Sequence, residues 1–233
     1  MALDPQLNDE VLTFTMPQQK ADYADDAEID AELDRLPDDE TVEETVANLE
    51  ERGFDVIVVD DADEALTAVK SQIPDGVSVM NGHSTTLEEI GFDEFLSEGD
   101  HDWESLPDQI WSIDDDAERQ TARRESQTAD YFLGGINAVA QTGELVAADL
   151  SGSRIGAYPF AAGNVVIVTG ANKVVPTLSD AFDRLESVAY PLENERAQEA
   201  YGAESAIAKQ LVYRRETEEG RTTVVLVREQ LGY

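Results

Sequence analysis

The chain has 233 residues, 41% of them hydrophobic, enough to bury one sizeable α/β core, and no apolar run approaches the ~20 residues of a membrane-crossing helix. Its 51 acidic residues against 16 basic ones give a formal charge of -35, which disfavours nucleic acid and anionic membrane surfaces as partners. With no cysteine, the chain itself cannot supply thiolate catalysis, disulfides, or Cys-based zinc or iron–sulfur ligation.

No basic region followed by an apolar stretch opens the chain, so a cytoplasmic location is expected. Only four basic residues are lysines (Lys20, Lys70, Lys173 and Lys209), and the acids fall in scattered pairs such as Asp38-Asp39 and Asp60-Asp61. That pattern is expected of an acidic, halophilic surface, where a Debye length of ~3 Å at 1 M salt screens the self-repulsion. A disordered acidic chain fits poorly, because apolar runs recur throughout.

Residues 1–37 mix apolar side chains with dense acids and are expected to form an N-terminal helical extension. The main α/β domain is expected over 38–233. Val42, Val46 and Leu49 recur at helical spacing, Gly53 is a C-cap candidate, and Phe54–Val59 is a buried strand. A second helix with Ala65, Leu66 and Val69 inward leads through Pro74-Asp75-Gly76 to a strand at Val77–Met80. Asn81-Gly82-His83-Ser84-Thr85-Thr86 then reads as a polar loop opening a helix, with Thr85 and Glu88 spaced as a capping box. Its hydroxyls could cap that helix or face an anion. His83 has only His101 for company, and no metal site is expected.

Gly99–Ile113 is a lid or a connector, with Trp103 and Trp111 as packing anchors. Asp114–Thr128 reads as a polar helix whose Arg119, Arg123 and Arg124 either grip an anion or form a solvated face. Between Asp130 and Val175 the charge nearly vanishes, with three acids and two bases. Such a segment is buried, partnered or lining a pocket. Within it, strands are expected at Tyr131–Leu133, Glu144–Ala148 and Val165–Val168, a short helix at Ile136–Gln141, and another helix starting near Arg154. Thr177–Val188 is helical. Ile207–Arg215 and Arg221–Arg228 are two strands joined by Glu218-Glu219-Gly220, a C-terminal β-hairpin signature that would make an antiparallel edge or a dimerising ribbon and so a homo-oligomer.

Several blocks together resemble the LUD domain of lactate-utilization proteins: Asn81–Phe92, Ala129–Val146, the loop ending in Arg154, Val165–Lys173, and Val224–Val227 with Leu231-Gly232-Tyr233. The resemblance covers roughly Asp38–Tyr233. It implies an α/β, parallel-sheet fold similar to the ribose-5-phosphate isomerase, glucosamine-6-phosphate deaminase and CoA-transferase group, with the site at strand ends. It also implies a role in L-lactate oxidation beside iron–sulfur partners. Relatives carry a cysteine-rich insertion before the final strands, whereas Pro191–Ser205 has none.

In such a sheet, loops after the strands' carboxyl ends line the ligand crevice. The loop residues that fit a small anion, either a hydroxycarboxylate or a phosphate-bearing cofactor, are Gly82, Ser84, Thr85, Thr86, Gly135, Asn137, Ser151, Gly152, Arg154 and Lys173. No particular cofactor is implied. Glu144 and Asp149 are the candidate acid–base residues, and by analogy with CoA-transferases Glu144 could form a thioester. The competing reading is a non-catalytic assembly module docking on an iron–sulfur redox partner.

Overall fold

The computed structural model describes residues 19–24, 27–98 and 100–233. The helical expectation for residues 1–18 lies outside them. In chain order the strands are β1 (Asp55–Val59), β2 (Ser78–Asn81), β3 (Glu104–Ser105), β4 (Tyr131–Gly135), β5 (Ala138–Ala140), β6 (Leu145–Asp149), β7 (Asn164–Gly170), β8 (Val174–Val175), β9 (Lys209–Tyr213) and β10 (Thr222–Val227). The helices are α1 (Asp39–Glu51), α2 (Ala62–Gln72), α3 (Thr85–Glu89), α4 (Phe92–Glu98), α5 (Leu106–Trp111), α6 (Asp116–Glu125), α7 (Leu178–Arg184) and α8 (Tyr190–Tyr201).

Six strands in the order β1-β10-β7-β4-β2-β3 pair in parallel throughout. A sheet covered on both faces needs strands apolar on both faces, and β10 is buried at all six positions. Alternate residues serve opposite layers. Val224 and Leu226 join Phe132, Val165 and Ile167 on one face, where α1 contributes Val42 and Leu49. Val225 and Val227 join Leu133, Val166 and Val168 on the other, against Ala65 and Val69 of α2, Leu87 of α3 and Phe92 of α4. Burying each such side chain stabilises the fold by ~1.5–3 kcal/mol.

The remaining strands form a smaller sheet, β8-β5-β6-β9, whose Val139, Leu145 and Ala147 face the large sheet and whose Ala138, Val146 and Val175 pack on α7. The helix expected at Ile136–Gln141 is replaced by β5. Its backbone pairs antiparallel with β6 and parallel with β8, and burial of all three residues outweighs the helix propensity of alanine. β9 and β10 follow one another as expected, hairpin-like across the Glu218–Gly220 turn, with Tyr213 Oη 3.2 Å from Thr222 Oγ1. Their ladders lie in different sheets: β9 is an antiparallel edge on β6, while β10 sits between β1 and β7.

The helix expected to start near Arg154 is present as a single π-helical turn, Ala157–Ala161. The Gly99–Ile113 stretch contributes β3 and α5, an edge strand and a packed helix, so the described part is structural cover. Trp103 packs on the core, but Trp111 is half exposed under the Arg123 guanidinium. Arg119 bonds to Asp116 and to the Ile113 carbonyl, so Arg119 and Arg123 have local partners. Among the described residues no helix is long and apolar enough to cross a membrane.

Candidate functional site at the carboxyl edge of the sheet

Because β2, β4, β7 and β10 are parallel, their exits, at residues 82–84, 136–137, 171–173 and 228–233, gather on one edge. Lys173 lies in the turn after β7 with 1% of its surface exposed. Its Nζ donates to Thr86 Oγ1 at 2.8 Å, to the Ile136 carbonyl at 3.1 Å and to the Tyr233 carbonyl at 3.2 Å. None of these acceptors carries a side-chain charge. Burial, reinforced by the charges of Arg184 and Lys20, holds the Lys173 ammonium well below the ordinary lysine pKa, opposed only partly by Glu89.

Arg154 is fixed more fully. Its backbone N–H and Nε donate to Asp149 at 2.9 and 3.1 Å, while its guanidinium reaches the Ala148 and Gly135 carbonyls at 2.8 and 3.3 Å and Asn137 Oδ1 at 3.1 Å. Asn137 also accepts from the Ala148 amide at 2.9 Å, tying the β4 exit to β6. Gly82 and Gly135 lie close against neighbouring side chains. A Cβ on Gly82 would lie 3.1 Å from the Arg154 side chain, and one on Gly135 would lie 2.6 Å from Ser84 Oγ.

The loop after β2 is capped one residue earlier than its capping-box spacing suggests. Ser84 is the N-cap, its Oγ accepting from the Leu87 amide at 3.4 Å, while Thr85 and Thr86 are buried in the first turn. α3 is only five residues long, so the anion-facing role expected of its amides and dipole loses most of its basis. His83 is exposed and its Nδ1 lies 3.3 Å from Glu88 Oε1. No group of three or more His, Asp or Glu among the described residues is placed to hold a metal ion.

The edge therefore gathers Gly82, Ser84, Thr86, Gly135, Asn137, Arg154 and Lys173, and Thr85 joins them through a hydrogen bond to Tyr233. Ser151 and Gly152 stand apart, beside Lys209, whose Nζ donates to the Ser151 carbonyl at 2.8 Å. The two candidate carboxylates sit at opposite ends of β6 and share no bonded partner. Asp149 holds Arg154, whereas Glu144 is paired with Arg52 at 2.9 Å and Arg214 at 3.5 Å.

Residues not singled out in the sequence complete the edge. Arg184 of α7 is fully buried, donates to the Asn137 carbonyl, and pairs with Asp34 at 2.7 Å; its Nε has no hydrogen-bond partner among the described residues. Burial lowers its pKa to about 10, against the pull of Asp34. Asp34, 5% exposed, also accepts from Lys20 and from Asn172 Nδ2 at 2.9 Å. Arg184 carried one usable signal, a charge beside the inward residues Ala181 and Leu185. Asp34 carried none.

A concavity of about 560 Å³ lies at the opposite end of the sheet, beside the starts of β1 and β10. Its lining includes Glu50, Asp55, Glu216 and Glu219, which suits an anion poorly, and the buried Arg221 beside it is already paired with Glu216 at 3.0 Å; Lys173 and Arg184 are buried at the carboxyl edge. That edge is also where ligands of parallel α/β sheets bind.

The sequence model of the LUD domain matches residues 42–227. The chain belongs to the LUD domain family. At the level of the family, LUD domains relate to lactate utilization. A solved structure, of a DUF162 family protein from Deinococcus radiodurans, is similar to this LUD domain at a TM-score of 0.49 and 13% identity, over 83% of this chain and 99% of that one. No curated protein matches the chain.

Proposed function

We propose that this LUD domain binds a small carboxylate, a 2-hydroxy acid such as L-lactate, at the carboxyl edge of its six-stranded sheet as part of 2-hydroxy acid utilization. A phosphate-bearing cofactor is the other anion this chemistry admits. The observation that carries the reading is Lys173, a buried side chain held by the Thr86 hydroxyl and the main-chain oxygens of Ile136 and Tyr233, with no Asp or Glu side chain bonded to it. An arriving carboxylate supplies the missing negative charge. It opposes the effect of burial and so raises the lysine pKa. Arg154 and Asn137 act as the frame that holds the β4 exit in place. Calorimetric titration with L-lactate tests the reading.

The alternative, a module docking on an iron–sulfur redox partner, has in its favour the lack of cysteine and the exposure of Phe160 at 89%. Recovery of such a partner with the protein, lost in Phe160→Ser, would support it, and recovery of the protein alone would count against it.

The acidic surface is part of the same reading. Four of the 16 cations, Lys173, Arg184, Arg196 and Arg221, are buried along with the acids Asp34, Glu144 and Glu216, so the surface keeps nearly the whole formal charge. Acids such as Asp39 and Asp60 are open to solvent, with 88% and 80% of their side chains exposed. Their mutual repulsion is screened within ~3 Å in molar salt and reaches ~30 Å at 0.01 M. Dialysis from molar to millimolar salt is therefore expected to lower the melting temperature markedly, and an unchanged melt would exclude a halophilic surface.

A further inference from the structure

After β10 the chain does not leave the carboxyl edge. The Leu231 amide donates to Asn172 Oδ1 at 3.1 Å, Asn172 Nδ2 to the Gly232 carbonyl at 3.4 Å, and the Gly232 amide to Glu89 Oε2 at 2.6 Å. Lys173 Nζ donates to the Tyr233 carbonyl at 3.2 Å, and Tyr233 Oη to Glu193 Oε2 at 3.0 Å. Four of these five bonds join the segment's main chain to wall side chains. Asn172 is fully buried and Lys173 almost so.

Main-chain groups held by side chains can be replaced by any molecule with the same order of donors and acceptors. Here two successive main-chain oxygens, of Tyr233 and Gly232, face Lys173 and Asn172, and the Gly232 N–H faces the Glu89 carboxylate. A 2-hydroxycarboxylate presents both: a carboxylate oxygen, and a hydroxyl on the adjacent carbon. A 2-oxo acid presents only lone pairs to the partly buried Glu89 carboxylate, whose Oε2 then loses its donor while Oε1 keeps the Lys20 amide at 2.8 Å, so the oxo acid is disfavoured. We propose that residues 231–233 occupy the ligand position of the crevice, and that a 2-hydroxycarboxylate displaces them, its carboxylate on Lys173 and Asn172 and its hydroxyl donating to Glu89. The inference rests on the carboxylate-binding reading above and adds where the ligand sits, what it replaces, and why the hydroxy acid is preferred to the oxo acid.

Gly232 offers the test. It adopts a φ of +55°, and a Cβ there would lie 2.9 Å from the Thr86 amide nitrogen and 3.2 Å from Lys173 Nζ. A β-branched residue cannot hold this conformation without strain, so Gly232→Val expels the segment and leaves every wall residue intact. L-lactate is expected to bind Gly232→Val about tenfold more tightly than the wild type, because the ligand no longer competes with the segment. Lys173 should become open to reductive methylation, L-lactate should slow that reaction, and pyruvate should bind more weakly than L-lactate to both proteins. Tyr233→Phe, which removes only the hydroxyl, should shift lactate affinity in the same direction by a smaller factor, and it serves if Gly232→Val fails to fold. Equal lactate affinity and equal Lys173 labelling in wild type and folded variants would overturn the displacement alone. Absence of binding by L-lactate and pyruvate to every protein would overturn the carboxylate reading and this inference with it.

Discussion

Asp34→Ala is expected to lower the melting temperature by about 10 °C. The carboxylate is 5% exposed and bonds to Arg184, Asn172, Lys20 and Gln230, so its loss leaves the Arg184 guanidinium buried without a counter-charge. Breaking one side of a buried pair costs about 3–5 kcal/mol, and each kcal/mol moves the melt of a domain this size by about 2–4 °C. Burial alone would raise the Asp34 pKa, but the hydrogen bond and charge of Lys20, with Arg184, hold it below the ordinary value of 3.8. Its contribution is thus present above pH 3.8 and lost as pH falls through the lower folded pKa. The deficit of Asp34→Ala, measured by thermal melts, should shrink in strong acid. A double variant, Asp34→Leu with Arg184→Met, should recover the part of the loss that comes from Arg184, since the apolar replacement removes that buried charge while Lys20 still lacks its partner.

Asp93→Asn is expected to act through pH in the opposite sense. Asp93, at the start of α4, is pushed up to about 7 by burial first and by the charge of Glu88 second, while the 2.7 Å bond from Asn81 Nδ2 opposes the shift. The unfolded carboxyl loses its proton near 3.8, so between 3.8 and about 7 the folded state binds more protons and stability falls as pH rises. Asp93→Asn removes that slope. Urea denaturation should find the variant equal to wild type at pH 4 and more stable at pH 8 by about 2–4 kcal/mol, from ~1.4 kcal/mol per pKa unit. A difference that does not change with pH would assign the raised pKa to another group.

Much of this architecture was legible in the sequence because buried parallel strands are written as short runs of apolar, mostly β-branched residues. Phe54–Val59, Val77–Met80 and Val165–Val168 fall on β1, β2 and β7 within a residue or two. Ile136–Gln141 was misread because alanine and glutamine favour helix locally, and only its partners β6 and β8 make it a strand. The final two strands and their turn were legible, but the sheet each one joins was not. Adjacency in sequence does not choose a hydrogen-bonding partner, although the unbroken apolar run of β10 hinted at an interior position.

The edge loops were found by the same logic that places ligands at strand ends, and Thr86, Gly135, Asn137, Arg154 and Lys173 lie there together. What the sequence hid was contact at long range. Asp34 lies 150 residues from Arg184 along the chain, and Gly232 lies 143 from Glu89. Neither pairing leaves a local pattern. Ser151 and Gly152 looked like site residues because glycine and serine in a loop suit both a ligand and an ordinary turn, and here they form a turn beside Lys209.

The central claim is that Lys173 is the cation that receives a small carboxylate. Calorimetric titration of L-lactate into wild type and Lys173→Met tests it most directly. Methionine is similar in length and suits a buried site, so the variant should fold, with a lower melt because the Thr86, Ile136 and Tyr233 oxygens lose their donor. Saturable binding is expected of the wild type, with affinity at least about tenfold weaker in Lys173→Met. Equal affinity in the two proteins, or no binding by the wild type, would contradict it.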